Sequence, residues 1–311
     1  MSLQPFTKSA METEVGVAVI THFAKEHLPH CLPPLLNSKL RPRVLVVNSS
    51  SQDGTVECAL ELGAEVMVIP RREFNHGTTR EWARKKLNTK IVAMVTPDAY
   101  AADDMLEKLV LPIQKKQASL AYARQIPHDG ADFFERFPRE YNYPKESHIR
   151  SIEDAGKWGA YTNFCSNSAS AYLNAALDEI GGFPHLLLGE DAYACARLLL
   201  AGKSVAYVAD AVVKHSHTYT LKQEFQRAFD TGLGRKELQS VLKYAGKDIK
   251  RGQQYTKSLM QALWKENPSQ IPYALLQTSV KALGYLIGRR STRAPTKFKK
   301  LCTSQDFFFS S

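Results

Sequence analysis

The sequence lacks the patterns that mark secreted, disulfide-stapled and membrane-spanning proteins. Its five cysteines are odd in number, widely spaced and never arranged as CxxC, which argues against a disulfide framework and a structural zinc site. The N-terminal residues show no charged start followed by an apolar core, and no run of about 18 uncharged apolar residues occurs. These absences predict a protein of a reducing, cytosolic compartment that carries no signal peptide and does not cross a membrane.

Acidic residues are scarce in the C-terminal quarter. Between Arg235 and Lys300 the chain has 15 Lys or Arg residues and three acidic ones, a net charge of +12. Since the whole chain carries +10, the remaining residues carry a net charge of −2. This imbalance indicates a surface that binds an anionic partner. Nucleic acid is disfavoured as that partner, because no helix-turn-helix, RRM or zinc module accompanies the basic residues.

Short β-branched runs alternate with helical patterns over the first 125 residues, in a chain with enough hydrophobic residues (44%) for a full core. We predict strands at Val15–Thr21, Val44–Val47, Glu65–Ile69, Ile91–Val95 and Leu120–Ala123. We predict helices at Ala24–Asn37, Asp53–Leu62, Thr78–Leu87 and Ala102–Gln114. This alternation predicts an α/β fold with a mostly parallel sheet flanked by helices on both faces. Ligands bind such sheets where strands end, so the loops after Val47 and Val95 are candidate sites.

The second half of the chain shows a less regular alternation of strand and helix patterns. Residues 126–170 are rich in aromatics and turn formers, which predicts a loop-rich wall or a short antiparallel insertion. Further elements are predicted as helices at 174–180 and 190–202 and strands at 205–208 and 211–217. Thr220 and Gln223 form a capping-box pattern, so a helix should begin at Leu221.

Two segments carry candidate ligand-binding residues at predicted strand ends. In VVNSSSQDGT (Val46–Thr55), small polar residues let backbone amides approach a ligand, although Asp53 could simply cap the next helix. In IVAMVTPDA (Ile91–Ala99), an apolar strand leads straight to Asp98, which suits a divalent cation such as Mg²⁺. A plain loop aspartate after Pro97 is the structural alternative.

Acidic and imidazole side chains mark two later segments. Glu190 and Asp191 precede an apolar helix, so one can cap it while the other, kept ionised by the helix N-terminus, acts as a general base. Both acids could instead only complement the helix dipole. His215 and His217 lie two apart on a predicted strand and should face the same side, where one is a candidate metal or phosphate ligand or a structural histidine.

Taken in order, these segments resemble family 2 glycosyltransferases, and within them the rhamnosyltransferase-like branch that builds bacterial surface polysaccharides. The resemblance spans residues 15–235. It rests on VVNSSSQDGT, EFNHGTTREWA, MVTPDA, AYARQIP with FFERFPREYNYP, FCSNSASAY, IGGFPHLLLGEDAYACARLLLAG and VVKHSHTYTLKQEFQRAFDTG. It implies a GT-A fold, a nucleotide-diphosphate sugar donor, a divalent cation (Mg²⁺ or Mn²⁺) and an inverting transfer to an acceptor hydroxyl. For this branch the expected donor is dTDP-rhamnose.

The resemblance also implies roles for individual residues. Asp191 matches the catalytic base, with Glu190 beside it, and Arg80 would face the diphosphate. Asp98 matches the last residue of the DxD metal motif, here reduced to Thr96-Pro97-Asp98, and His215 or His217 would complete the metal or diphosphate environment. The remaining donor or acceptor contacts are Thr21, Asn48, Ser49, Asp53, Arg124, Gln125 and Asn167. Asn48 stands where most relatives have Asp, which keeps open a non-catalytic sugar-nucleotide-binding relative, and a UDP- or GDP-sugar donor is a further alternative.

The basic C-terminal region contains a long amphipathic segment, Ile271–Arg290, followed by RRSTRAPTKFKK. It could lie in a membrane interface without crossing it, held by its basic residues at an anionic surface. We therefore predict a GT-A catalytic domain at 1–220 and a helical extension at 221–311. The extension would place the enzyme on the inner face of the bacterial cytoplasmic membrane, beside a glycan or lipid-linked glycan acceptor. The alternative is that these helices pack on the catalytic domain or on a second subunit in a homo-oligomer.

Overall fold

A computed structural model describes residues 14–246 and 248–309. The N-terminal residues 1–13, which bear on the signal-peptide prediction, lie outside the described residues. No helix within the described ranges is both long and apolar enough to cross a membrane.

One mixed sheet organises the chain. Its strands are β1 (Val15–Thr21), β2 (Arg43–Asn48), β3 (Glu65–Val68), β4 (Ile91–Val95), β5 (Tyr100–Ala101), β6 (Leu120–Ile126), β7 (His148–Arg150), β8 (Ala169–Leu173) and β9 (Val205–Lys214). They lie in the order β3-β2-β1-β4-β8-β6-β9-β5, and β7 pairs with β9. The half from β3 to β4 is entirely parallel. In the other half β8 runs antiparallel to both neighbours, whereas β6 and β9 pair in parallel.

Helices cover both faces of this sheet. They are α1 (Leu28–Leu36), α2 (Thr55–Glu61), α3 (His76–Leu87), α4 (Met105–Gln114), α5 (Phe133–Asn142), α6 (Ala155–Trp158), α7 (Asn174–Glu179), α8 (Glu190–Leu200), α9 (Leu221–Glu237), α10 (Gln239–Leu242), α11 (Asp248–Glu266), α12 (Ile271–Arg290) and α13 (Thr296–Cys302). Successive strand residues point to opposite faces, so Val17 and Val19 pack on the α1 and α4 side while Ala18 and Ile20 pack on the α3 and α8 side. This two-sided burial explains the continuous apolar strands.

Helix α1 begins four residues later than predicted, at Leu28 rather than Ala24. The backbone N–H of Ala24 donates to Thr55 Oγ1, and that of Lys25 donates to Asp53. These long-range bonds hold the segment as a turn against the loop after β2, so the helix starts only beyond it.

The segment 126–170 is more regular than predicted. It contains α5, whose N-cap Asp132 accepts a hydrogen bond from the Glu135 backbone, and the strands β7 and β8. The two strands predicted at 205–208 and 211–217 are one strand, β9, whose register against β6 shifts between Ala123 and Arg124. Strand β9 ends at Lys214, so His215 and His217 follow it rather than lie on it.

The C-terminal helix α12 packs against α9. Helix α12 has the predicted bounds, and the residues that it buries are Ala274, Gln277, Gly284 and Gly288. A Cβ added at Gly288 would lie 2.0 Å from the Phe229 carbonyl oxygen of α9, so the two backbones approach too closely for any side chain. Four leucines of α12 are exposed, namely Leu275, Leu276, Leu283 and Leu286.

Candidate active site

The candidate site is a cleft of about 470 Å³ between the sheet edge, the start of α8 and one face of α9. The predicted site residues that line it are Arg80, Thr96, Gln125, Asn167, Glu190, Asp191, His215 and His217. The other predicted residues adjoin it or lie elsewhere, as described below. The fold thus brings together side chains from α3, β6, α8 and three loops, which follow β4, precede β8 and follow β9.

Asp98, His215 and His217 form a group that could hold a metal ion, with one ligand atom of each lying within 4.8 Å of the others. The Nε2 atoms of His215 and His217 lie 3.5 Å and 3.4 Å from the Asp98 carboxylate oxygens. Asp98 Oδ1 is buried and makes no hydrogen bond, so it lacks a partner that a cation would supply. The convergence predicted for the two histidines is present, although they lie past the strand end.

The electrostatics of this group suit a cation. Burial lowers the pKa of His215 despite the adjacent carboxylate. Burial, and then the charge of His215, lower the pKa of His217 to about 4. Both imidazole rings are therefore neutral at pH 7 and able to act as ligands. Burial alone would raise the pKa of Asp98, but the imidazoles hold it well below its usual range. Nδ1 of His215 lies 2.8 Å from Gln125 Oε1, a contact that fixes Nδ1 as the donor. Nε2 of His215 therefore carries no proton and offers a lone pair for coordination, 2.9 Å from Nε2 of His217.

Glu190 and Asp191 have different environments at the start of α8. Glu190 is buried, lies 3.2 Å from the Arg80 guanidinium and accepts a hydrogen bond from Asn167. Burial would raise the pKa of Glu190, but the Arg80 charge lowers it. The described hydrogen bonds of the Asp191 carboxylate consist of a local one, which Oδ1 accepts from the Ala192 backbone. Burial and then the Glu190 charge raise the pKa of Asp191 to about 6, and they outweigh the opposing charges of Arg80 and Arg235. Asp191 is therefore the carboxylate with capacity to accept a proton near neutral pH.

The residues predicted at the nucleotide end lie at the carboxyl ends of β1 and β2, and three of them are fully buried. Asn48 donates to Thr21 Oγ1 and to Ser51 Oγ, and Ser49 donates to the Thr21 carbonyl. These bonds shape the loop beneath the surface.

Asp53 is held by the Lys25 backbone and by Thr55, whose hydroxyl lies 2.6 Å away. These bonds lower the pKa of Asp53 to about 2 against the opposing effect of burial. The N-cap of α2 is Gly54, with φ of 84°, and not Asp53. Asp53 thus ties the loop after β2 to the turn after β1.

Arg124 does not line the cleft, since it neighbours Gln125 on β6 and successive strand side chains point to opposite faces.

Several cleft residues escaped the sequence reasoning. Arg139 of α5 donates to Gln125 Oε1 at 2.8 Å, and Arg227 and Arg235 of α9 bring two more positive charges. Arg227, Thr231 and Arg235 recur every four residues on one helical face, which was the available signal.

Comparisons with known proteins agree with this geometry. The family profile described as Glycosyl transferase family 2 matches residues 16–181. The O-antigen chain rhamnosyltransferase RfbN of Salmonella typhimurium is 36% identical over 287 residues, which cover 91% of each protein. The O-antigen chain rhamnosyltransferase WbaN of Salmonella anatum is 37% identical over 256 residues, or 81% of each.

Solved structures with low sequence identity share the fold. The mannosyltransferase PcManGT of Pyrobaculum calidifontis, solved with GDP-Man and Mn²⁺, has a TM-score of 0.63 at 14% identity and covers 90% of this chain and 87% of its own. Residues 1–349 of S. aureus TarS give 0.56 at 15% identity, covering 95% and 88%. These likenesses confirm the predicted α/β, GT-A-type fold. Together with the matched family profile and the two curated relatives, they show that the chain is a glycosyltransferase that belongs to glycosyl transferase family 2.

Proposed function

We propose that this chain transfers L-rhamnose from dTDP-rhamnose to a hydroxyl of a bacterial surface-polysaccharide acceptor, with inversion at the anomeric carbon. One observation carries this proposal: Asp191, poised to accept a proton, lines the same cleft as His215 and His217 of the candidate metal group. The similarity to two O-antigen chain rhamnosyltransferases supports rhamnose as the sugar.

The chemistry assigned to the cleft is a single displacement. Asp191 takes the proton of the acceptor hydroxyl while the acceptor oxygen bonds to the anomeric carbon and the bond to the diphosphate breaks. Attack on the face opposite the leaving group inverts the centre, so a β-L donor gives an α-L-rhamnoside. Arg80 and Arg227 supply positive charge for the leaving diphosphate.

Asp98, His215 and His217 would hold Mg²⁺ or Mn²⁺, which when bound offsets charge on the leaving diphosphate. Thr21, Asn48, Ser49 and Asp53 are assigned to the base and ribose end because they lie at the ends of β1 and β2. The proposed contacts to the sugar or acceptor are Thr96, Gln125 and Asn167, whereas Arg124, which lies outside the cleft, is not assigned one.

The donor assignment is tested by thermal shift with dTDP, UDP, GDP and CMP, each with and without Mg²⁺ or Mn²⁺, followed by a transfer assay with dTDP-rhamnose. A nucleotide at about 100 times its Kd stabilises by about 2.7 kcal/mol, which is a shift of several degrees. A metal-dependent shift with dTDP alone supports the proposal. A preference for UDP or GDP assigns another sugar, and no shift with any nucleotide contradicts a sugar-nucleotide site.

We also propose that residues 221–311 form an extension that binds an anionic membrane surface. Helix α12 exposes Leu275, Leu276, Leu283 and Leu286 at 42–55% of their surface. Exposed leucines beside Lys and Arg residues are the pattern of a helix lying in an interface. The enzyme would then work on the inner face of the cytoplasmic membrane.

A groove of about 970 Å³ between α9, α11 and α12 supports a lipid-linked glycan as the acceptor. Its lining includes Ile249, Leu259 and Leu286, and Arg227 and Thr231 line both this groove and the catalytic cleft. An apolar chain in the groove would leave its attached glycan at the cleft.

Vesicle co-sedimentation tests the membrane surface. Leu283→Glu with Leu286→Glu should abolish binding to vesicles that contain phosphatidylglycerol, whereas Leu60→Glu with Leu111→Glu, on exposed sites of α2 and α4, should leave it unchanged. If the α12 variant instead converts a dimer to a monomer in light scattering and keeps vesicle binding, the leucines form a homo-oligomer contact.

A further inference from the structure

The last described residues form a segment that crosses from α9 to the nucleotide end of the sheet. We call residues 303–309 the C-terminal strap. Its start is fastened to the buried Asp230 of α9, which accepts hydrogen bonds from the Thr303 hydroxyl and from the backbone and hydroxyl of Ser304. Beyond this point Gln305 Oε1 lies 3.3 Å from His76 Nε2. The strap is therefore held in place by specific polar contacts to two different elements.

The strap places the ring of Phe307 against the guanidinium of Arg71, which lies in the turn after β3. The guanidinium carbon of Arg71 lies 4.1 Å from the centre of the Phe307 ring and 5.0 Å from that of Phe74. Two aromatic faces within about 6 Å of a guanidinium fix its plane by cation–π attraction. Arg71 is thus an oriented cation rather than a mobile surface side chain.

The oriented guanidinium faces the strand ends assigned to the nucleotide. Arg71 Nη1 donates to Ser49 Oγ at 3.2 Å, and Asn48 pairs with Val68 at the end of β3, so the ends of β1, β2 and β3 meet here. His22, which follows β1, has a buried Nδ1 without a hydrogen-bond partner. An unpaired buried nitrogen beside an oriented cation indicates that a polar ligand completes this edge.

We propose that Arg71 recognises the keto oxygen that the donor's nucleobase carries at C4 (thymine, uracil) or C6 (guanine), and that Phe307 is the positioning residue that sets the plane of the guanidinium. The inference rests on the proposed function, since it takes the edge of β1 to β3 as the nucleotide end. One of five guanidinium N–H groups is used on Ser49, and the others can donate to the carbonyl oxygens of thymine, uracil or guanine. Cytosine has an amino group at C4, which is itself a donor, and its one keto oxygen is at C2, so the site selects nucleoside diphosphates whose base has a keto oxygen at C4 of a pyrimidine or C6 of guanine.

Isothermal titration with dTDP, CDP and inorganic pyrophosphate, all with Mn²⁺, tests this assignment. Arg71→Met should weaken dTDP binding by about tenfold or more, the usual effect of losing a charged hydrogen bond. It should leave pyrophosphate and CDP binding unchanged, so the ratio of dTDP to CDP affinity falls. Arg71→Lys should behave similarly, because an ammonium lacks the planar fork. Arg72→Met changes the exposed neighbour in the same turn, and it should change neither the affinity for dTDP nor the ratio of dTDP to CDP affinity.

The strap is tested by a pair of variants at Phe307. Phe307→Leu keeps an apolar side chain but removes the ring and should lower the dTDP to CDP ratio about three- to fivefold, whereas Phe307→Tyr should restore it. An equal loss of dTDP, CDP and pyrophosphate in Arg71→Met would mean that Arg71 binds phosphate, and an unchanged ratio would mean that it binds no ligand. Either result overturns the inference. Failure of the wild type to bind any nucleoside diphosphate overturns the proposed function instead.

Discussion

The acidic limb of the pH profile is the sharpest test of the catalytic assignment. Asp191 must be ionised to accept a proton, and its pKa is raised from 3.8 to about 6 by burial and by the neighbouring charge of Glu190. For the wild type, kcat/KM should therefore fall about tenfold per pH unit below about pH 6. The pKa of His217 is lowered to about 4, so His217 is protonated, and loses its capacity to bind a metal, only at a pH below this acidic limb.

Replacing Glu190 with glutamine separates the two causes of the raised pKa. The change is nearly isosteric and retains an oxygen that can accept the Asn167 bond, but it removes the negative charge beside Asp191. A neighbouring carboxylate contributes on the order of one pKa unit, or about 1.4 kcal/mol. The acidic limb should then move to about pH 5, so that activity at pH 5 relative to the plateau rises about fivefold.

The assay is initial-rate transfer from pH 4.5 to 8 at saturating Mn²⁺, with melting temperatures at each pH. The variant should also melt earlier, because Arg80 is buried and loses its charged partner. Glu179→Gln, which removes an exposed glutamate paired with Lys203, is the matched control and should leave the limb in place. An acidic limb at the same pH in Glu190→Gln and wild type would refute the coupling and with it the choice of Asp191 as base.

Three further predictions concern the cleft and the helical extension. Asp191→Asn should reduce transfer by at least about 10²-fold while the Kd for dTDP with Mn²⁺, measured by titration, stays within about twofold; near-native turnover would exclude Asp191 as the base. Asp98→Ala should abolish the Mn²⁺-dependent part of the thermal shift with dTDP, and an undiminished metal effect would place the ion elsewhere. Gly288→Ala should destabilise by about 1–3 kcal/mol in denaturant unfolding, because its Cβ meets the Phe229 carbonyl, whereas Gly252→Ala, with open space around it, should not destabilise.

Local patterns predicted much of the fold. Periodicity gave the bounds of α12, and the capping box gave the start of α9 at Leu221. Helix α5 was missed because aromatic and turn-forming residues, with Pro138 inside the helix, outweighed the signal of Asp132 three residues before Glu135. That spacing is a helix-start pattern.

The candidate site was predictable where its residues follow strands. Asp98 follows a strand end as predicted, whereas His215 and His217 were predicted on a strand and follow it instead; the structure brings the three together. The pairing of Glu190 with Arg80 joins residues 110 positions apart, and the contact of Arg71 with Phe307 joins residues 236 apart. No local periodicity encodes such contacts, because they depend on how the elements pack.

Helix α9 limits how this enzyme can be recombined with its relatives. One face of the helix lines the cleft through Arg227 and Thr231, and another packs against the glycine face of α12 through Phe229. A graft of the extension with a junction at residue 221 would bring foreign side chains into the cleft. A functional chimera should therefore keep α9 with its native cleft and exchange only segments beyond it, together with their matching α12 contact surface.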